Sequence, residues 1–283
     1  MIYGKLMTDR EKQIRQQAYA LTFCTIVFMI IYNICTWYAS NIGQVPSFIF
    51  DFERSMPFIP WTIVPYMAGG LFFCLVFFCC RSGIQLKILT LRMLFVILIA
   101  GLCFVMFPLR FSFIKPEVSN TFLNLPFSFL KQFDSPFNQS PSLHIAFAFV
   151  FWSVFKEVSK WRFFFMISLI LMGISTLTTY QHHCIDILTG AVLAHLSFII
   201  IPTRKNDSKY KNIRLANYYF LAGWILILGT FLLYNYVGLK ALIFFFPASV
   251  TFTAGHCYTK NGSNPLSLLV LTLKQNSRSS TKE

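Results

Sequence analysis

The sequence predicts an all-α fold, a bundle of membrane-spanning helices. Hydrophobic residues make up 56% of the 283 positions, whereas Asp, Glu, Lys and Arg together make up 12%. This composition is typical of a chain solvated mainly by lipid. The apolar residues also gather into runs separated by short polar segments. Because a helix needs about 20 apolar residues to cross a bilayer, the runs predict about eight transmembrane helices.

The first run, 18–39, follows a basic segment and is longer than the core of a secretory signal, so we expect a retained helix. The other seven runs are 61–80, 88–109, 143–158, 162–180, 184–201, 218–234 and 240–258. The sequence therefore divides into four parts. These are a cytoplasmic N-terminus (1–17), a six-helix core (18–201), two additional transmembrane helices (202–258) and a cytoplasmic tail (259–283).

Lys and Arg are unevenly divided between alternate loops. Nineteen of the 24 lie on the same side as the N-terminus, and five lie on the other. Because positive loops tend to stay inside, both termini are predicted to be cytoplasmic. The same distribution accounts for the net charge of +14, so we expect contacts with anionic lipids and not with nucleic acid. Nothing in the sequence predicts an obligatory protein partner.

Two polar motifs lie at the ends of apolar runs on the opposite, extracytoplasmic side. They are residues 141–144, Pro-Ser-Leu-His, and residues 182–186, His-His-Cys-Ile-Asp. In the second motif, His182 and Asp186 are four residues apart and would share one face of a helix. The carboxylate could then orient the imidazole, so that one ring nitrogen keeps its proton and the other presents a lone pair. This pattern indicates a nucleophilic or basic histidine.

The first motif supplies groups that complement such a histidine. Pro141 suits the first turn of a helix, so the following backbone amides and the Ser142 hydroxyl are expected to form a phosphate cradle. His144 lies within one turn of this cradle, where it could pass a proton to a leaving oxygen. The topology places both motifs on one side of the membrane, so we expect them to converge.

Together, these motifs resemble the type 2 phosphatidic acid phosphatase (PAP2) superfamily. A Pro-Ser-x-His motif is followed by Ser175, which precedes His182 by seven residues, and His182 precedes Asp186 by four. Leu143 stands where the superfamily usually has Gly, a variant that resembles the branch with inositol-phosphorylceramide synthases. Thr176 stands where the superfamily has Arg.

The first motif of the superfamily, a Lys followed by an Arg-Pro pair, is not intact in this chain. Arg110 and Lys115, which precedes Pro116, are a loose counterpart of it.

The resemblance implies that 18–201 contains the catalytic core of a membrane lipid-phosphate phosphatase. It implies that His182 attacks phosphorus, that Asp186 orients it, and that His144 is the general acid and base. The reaction would pass through a phosphohistidine at the extracytoplasmic face and would require no cofactor. The residues expected to bind the lipid phosphate are Ser142, Arg110, Lys115, Leu143, Ser175 and His183.

Two other functions stay open at this stage, and the sequence does not choose among lipid phosphates. Leu143 favours a lipid phosphotransferase, in which an alcohol replaces water. A non-catalytic lipid-phosphate binding or transport protein is also compatible with the helices, although it has no need of a nucleophile beside a carboxylate. No metal site is expected, because the possible ligands in 182–186 are too crowded for structural zinc.

Two loops on the extracytoplasmic side are long enough to contribute to the site. The loop 111–140 interleaves Phe, Pro and Leu with charged residues and is predicted to be an interfacial lid. In the loop 41–60, the acidic residues Asp51 and Glu53 are expected to be solvated.

Overall fold

The computed structural model describes residues 8–203 and 212–261. Within these ranges the protein is all-helical, with nine α-helices, no strand and one isolated bridge between Leu109 and Asn138. The chain forms two compact units, Met1–Ala194 and His195–Glu283. The first seven residues of the predicted N-terminus and most of the predicted tail lie outside the described residues.

Seven α-helices begin in the first unit, and the last of them continues past its end. They are α1 (Asp9–Ser40), α2 (Ile63–Phe78), α3 (Gly83–Met106), α4 (Thr121–Phe133), α5 (Leu143–Phe155), α6 (Arg162–Thr178) and α7 (Cys184–Ile200). Three short 3-10 helices, Asp51–Ser55, Pro60–Thr62 and Ser159–Trp161, lie between them.

The second unit contains the end of α7 and two further helices, α8 (Ile213–Val237) and α9 (Phe245–Asn261). A 3-10 helix, Gly238–Phe244, joins α8 to α9 and begins at Gly238 with a positive φ of 60°. The ring of Tyr219 stacks on that of Tyr258, and Phe231 contacts Phe245. Contacts between the start of one helix and the end of the other show that α8 and α9 are antiparallel.

Every one of the eight apolar runs predicted from the sequence overlaps one α-helix. Five helical stretches are long and apolar enough to cross a membrane: Asp9–Ser40, Pro60–Phe78, Gly83–Met106, Ser159–Thr178 and Ile213–Lys260. The last stretch contains both α8 and α9, while α5 and α7 are apolar but shorter. The all-helical class is therefore confirmed, and the count of eight transmembrane helices stays a prediction.

Local side chains explain where several helices begin. At α1, the Thr8 hydroxyl accepts from the Glu11 amide and the Glu11 carboxylate accepts from the Thr8 amide. Ser82 and Asn120 cap α3 and α4 in a similar way. These caps satisfy amide donors that have no acceptor within the first turn. These three helices thus begin directly after a short polar side chain that caps the first turn.

Helix α4 is a feature that the sequence analysis did not assign. It lies within the loop that was predicted to be an interfacial lid, and it contains Pro126. Its apolar side chains Phe122, Leu125 and Phe129 are exposed and stand three and four residues apart, so they share one face. An exposed apolar face on a short helix fits the predicted interfacial position.

The first unit has two chemically different ends. At one end, Gln13 and Gln17 donate to the Cys80 carbonyl, and the Arg81 guanidinium donates to the Glu157 carbonyl. At the other end, the loops before α2, α4, α5 and α7 meet. The alternate loops therefore collect at opposite ends of the first unit, as the charge pattern predicts.

Helices α5 and α7 approach each other closely at their N-terminal ends. The Ser142 amide donates to the Asp186 carbonyl at 2.9 Å, and the Ser140 and Thr189 hydroxyls lie 2.8 Å apart. A Cβ atom at Gly190 would lie 2.6 Å from the Ser142 carbonyl oxygen and 3.1 Å from Ile145 Cβ. Only glycine therefore permits this contact, because the first distance is shorter than nonbonded atoms allow.

We expect Gly190→Ala to push α5 away from α7 and to destabilise the protein by about 1–3 kcal/mol, the usual range for overpacking. Gly70→Ala in α2 is the matched control, because its Cβ would meet no atom within 4 Å. The measurement is thermal unfolding of both purified variants in detergent. A Gly190→Ala variant as stable as Gly70→Ala would contradict the close approach described above.

Candidate active site

His182 lies in the turn between α6 and α7, beside Asp186, the acid with which it was predicted to pair. The prediction that the two share one face of a helix is wrong, because α7 begins only at Cys184. The amides of Gln181 and His182 both donate to the Thr176 carbonyl at 3.0 Å, which reverses the chain after α6. His182 Nδ1 then lies 3.4 Å from Asp186 Oδ2, at the long end of the hydrogen-bond range. The side chains are 7% and 1% exposed. Among the described residues, His182 Nε2 has no hydrogen-bond partner.

Asp186 holds the beginning of α7 together as well as facing His182. Its Oδ2 atom accepts from the His183 amide at 2.8 Å. Its Oδ1 atom is buried and has no hydrogen-bond partner among the described residues. A carboxylate in the first turn of a helix is also favoured by the helix dipole.

His144 lies in the first turn of α5, between two aromatic rings. The centroid of the Tyr66 ring lies 4.4 Å away, and that of His182 lies 5.8 Å away. Gly69, one turn after Tyr66 in α2, leaves room for the imidazole, because a Cβ there would lie 3.3 Å from His144 Cδ2. The structure thus brings the two predicted catalytic histidines together.

Ser142 and Leu143 form the start of α5 and are both buried. The Ser142 hydroxyl accepts from the Ile145 amide at 3.5 Å as a helix cap. Its own amide is used by the Asp186 carbonyl, so it is not available to the predicted phosphate cradle. The amides of Leu143 and His144 come next, and no preceding helical turn supplies them with acceptors.

His183 is fixed by protein groups at both ring nitrogens. Its Nδ1 lies 3.0 Å from Glu53 Oε2, and its Nε2 lies 3.3 Å from the Ser112 amide, which donates to it. Because Nε2 accepts that bond, Nδ1 carries the proton and donates to Glu53. The ring is 2% exposed and is stacked on Phe111 at 4.4 Å. This geometry gives His183 a structural environment and not an open ring nitrogen.

Glu53 was expected to be solvated, and the structure shows that this expectation is wrong. The side chain is 1% exposed, because it collects three donors that replace water. Its Oε2 atom accepts from the Cys184 amide at 3.1 Å as well as from His183, and Oε1 accepts from the Phe50 amide at 2.9 Å. Glu53 therefore joins the loop before α2 to the start of α7. Sequence spacing gave no signal of this contact across 130 residues.

Lys115 and Arg110, the two cationic residues predicted to bind the lipid phosphate, are held by different contacts. Lys115 donates to the side-chain oxygen of Gln181 at 2.8 Å, next in sequence to His182. Desolvation lowers the pKa of the Lys115 ammonium, and the Asp134 carboxylate opposes this shift. Arg110 is anchored through its backbone amide, which donates to the Pro46 carbonyl at 2.8 Å, while its side chain is exposed.

Ser175 is buried, and its hydroxyl donates to the Met172 carbonyl within α6 at 2.6 Å. Its carbonyl accepts from the Thr179 amide, which shapes the end of the helix. The predicted contact of Ser175 with substrate therefore has no support in this geometry. In the described ranges, no group of three His, Cys, Asp or Glu side chains is arranged to hold a metal ion.

Residues 89–210 match the family model described as the PAP2 superfamily. The matched segment runs from α3 past the end of α7, so it contains both motifs and the residues between them. This superfamily generally comprises phosphatases and related phosphotransferases. Comparisons with curated proteins and with solved structures gave no significant match.

We expect Glu53→Gln to destabilise the protein by about 2–3 kcal/mol, because an amide nitrogen would face a donor in a buried site. Asp51→Asn is the matched control. Asp51 is exposed, and its contact with Arg54 at 3.8 Å is of the surface kind that contributes little. Thermal unfolding in detergent measures both variants. Equal midpoints for the two variants would show that Glu53 does not hold these segments together.

Proposed function

We propose that the protein is a membrane lipid-phosphate phosphatase that works through a phosphohistidine intermediate at the extracytoplasmic face. The observation that carries the proposal is the buried pair of His182 and Asp186 beside His144, within the segment that matches the PAP2 superfamily. A histidine with one nitrogen facing a carboxylate and the other without a protein partner is suited to nucleophilic attack.

In the first step, His182 Nε2 attacks the phosphorus of a lipid phosphate. A nitrogen–phosphorus bond forms while the bond from phosphorus to the lipid oxygen breaks. His144 gives its proton to the departing oxygen, which leaves as the lipid alcohol. Asp186 holds His182 Nδ1–H and stabilises the positive charge that develops on the phosphorylated ring.

In the second step, a water molecule attacks the phosphorus of phosphohistidine. His144, now neutral, takes a proton from this water, and the nitrogen–phosphorus bond breaks. Inorganic phosphate leaves, and His182 and His144 return to their starting protonation states. Over the two steps, His144 gives one proton to the lipid oxygen and takes one proton back from water, so no other proton donor is needed.

The equatorial oxygens of the phosphate need donors and positive charge during both steps. The amides of Leu143 and His144 and the Lys115 ammonium, which is bonded to Gln181 beside His182, could supply them. The Ser142 hydroxyl uses a lone pair in its cap, so its proton stays available to a phosphate oxygen. Arg110 is exposed and could reach the headgroup from the loop, whereas His183 serves to position the start of α7.

The lipid nature of the substrate follows from the position of the site. The site lies at one end of a helical unit whose membrane-length helices expose apolar side chains. The distribution of Lys and Arg supports a position of this end outside the cytoplasm. A phosphomonoester or diphosphate headgroup at the bilayer surface would reach the site without leaving the membrane.

Headgroup transfer is the second candidate, and Leu143 favours it. Leu143 is buried at the start of α5, in the position that resembles the inositol-phosphorylceramide-synthase branch. In that reaction, a lipid hydroxyl would replace water in the second step and a phosphodiester would form. Incubation of the purified protein with lipid donors and with ceramide or diacylglycerol would reveal such a product.

The direct test is release of inorganic phosphate from a panel of lipid phosphates, with EDTA present. The panel contains phosphatidate, phosphatidylglycerol phosphate and a polyprenyl diphosphate. We expect His182→Ala to abolish release and His256→Ala to leave it unchanged, because His256 is an exposed histidine of α9. Release that persists in His182→Ala would refute the phosphohistidine. No release or transfer by the wild type would favour a protein that only binds lipid phosphates.

A second prediction isolates the proton transfer by His144. We expect His144→Ala to lower kcat/KM for phosphatidate by about a hundredfold or more, the usual contribution of a general acid. The loss should be much smaller for p-nitrophenyl phosphate, because p-nitrophenolate leaves without a proton. Since kcat/KM covers the steps up to departure of the leaving group, water attack does not enter the comparison. Equal losses on both substrates would contradict the role of His144 as the acid.

A further inference from the structure

Asp134 directly follows α4, where it accepts hydrogen bonds from tyrosines of two other helices. The Tyr66 hydroxyl of α2 donates to Oδ2 at 3.0 Å, and the Tyr32 hydroxyl of α1 donates to Oδ1. The Ser135 amide donates to Oδ1 as well, at 3.0 Å. We refer to Tyr32, Tyr66 and Asp134 as the tyrosine clamp. The clamp fastens the end of α4 to the bundle.

The clamp reaches the candidate site through the ring of Tyr66. This ring is 2% exposed and lies against His144, with 4.4 Å between the centroids and a tilt of 32°. Gly69, one turn further along α2, leaves room for the imidazole because it has no Cβ atom. The hydrogen bond from Tyr66 to Asp134 therefore holds in position the aromatic ring on which His144 packs.

From these contacts, we propose that Asp134 is a positioning residue that acts through Tyr66 on the orientation and protonation of His144. The inference rests on the proposed function, because it assumes that His144 supplies a proton in the first step. It adds a residue that lies outside both sequence motifs and that belongs to the predicted lid.

The charges around His144 explain why such a residue is needed. The groups that face it are the Tyr66 hydroxyphenyl ring of α2, the His182 imidazole before α7 and the Asp134 carboxylate beyond Tyr66. The first step requires His144 to be protonated while His182 is neutral. A carboxylate nearby favours the charged form of an imidazole, whereas burial and a second imidazole oppose it.

Asp186 does not favour the protonated form of His144 in this way, because its carboxylate faces His182. Asp134 is separate from that pair and acts on His144 and on Lys115. The two histidines thus have different acidic neighbours. We infer that Asp134 supports the protonated form of His144 that the first step requires, against the opposing effects of burial and of His182.

The test compares Asp134→Asn with wild type on phosphatidate in mixed micelles across a pH series, with EDTA present. Loss of the charge should move the basic limb of the profile of kcat/KM by about one unit to lower pH. At alkaline pH, this shift corresponds to a kcat/KM about tenfold lower than in wild type. Use of one substrate for both proteins cancels the titration of the lipid phosphate itself. Asp51→Asn, the same change at an exposed acid on the same side, should leave the profile unchanged.

Tyr66→Phe provides a second variant that keeps the ring against His144 and removes only the hydroxyl. For both Asp134→Asn and Tyr66→Phe, we expect kcat/KM to fall for phosphatidate and to change little for p-nitrophenyl phosphate. Should Asp134→Asn fail to fold, Tyr66→Phe still decides the question by this substrate comparison. Equal losses on both substrates, or no loss on either, would overturn the positioning role.

His182→Ala, measured in the same assay, separates failure of this inference from failure of the proposed function. If His182→Ala is inactive while Asp134→Asn and Tyr66→Phe behave as wild type, only the role of Asp134 is refuted. If His182→Ala retains activity, the phosphohistidine and the inference are refuted together.

Discussion

The hydrogen bond from the Ser142 amide to the Asp186 carbonyl connects the two halves of the candidate site. The two residues are far apart in sequence, and each begins a different helix. Their backbone contact sets the distance between His144 and His182, because each histidine lies within four residues of one partner. The bond requires α5 and α7 to approach closely, which Gly190 permits. A backbone contact thus determines the distance between the nucleophile and the general acid of the proposed reaction.

Each of the three histidines at this end of the bundle is associated with its own acid, and the differences between these pairs indicate different roles. Glu53 and Ser112 occupy both nitrogens of His183, which leaves it a structural part of the site. Asp186 faces one nitrogen of His182, and the other has no hydrogen-bond partner among the described residues. Asp134 contacts the Tyr66 hydroxyl, whose ring packs on His144, and does not itself bond either nitrogen of His144. Because a buried charge must be paired or bonded, these acids also stabilise the loops that supply them.

The sequence predicted the parts of the structure that are local. Apolar runs placed the helices, and the spacing of His182 and Asp186 predicted their contact, although His182 lies in the turn before α7 and not on a helix face shared with Asp186. Glu53, Tyr66 and Asp134 could not be predicted, because their contacts join loops and helices that have no fixed spacing. Helix α4 was missed for a related reason. It is short, contains Pro126 and exposes its apolar face, so it resembles a loop in composition.

Thr176, which stands where the PAP2 superfamily has Arg, bears on the phosphate binding that is proposed above. Here the Thr176 hydroxyl donates to the Gly173 carbonyl, and the Thr176 carbonyl holds the amides of Gln181 and His182. Residue 176 therefore shapes the turn that carries His182 but brings no positive charge to it. Lys115 is bonded to Gln181 and so is placed beside the same turn. In the proposed reaction, Lys115 supplies the positive charge beside this turn, so phosphate binding would depend on the loop before α4.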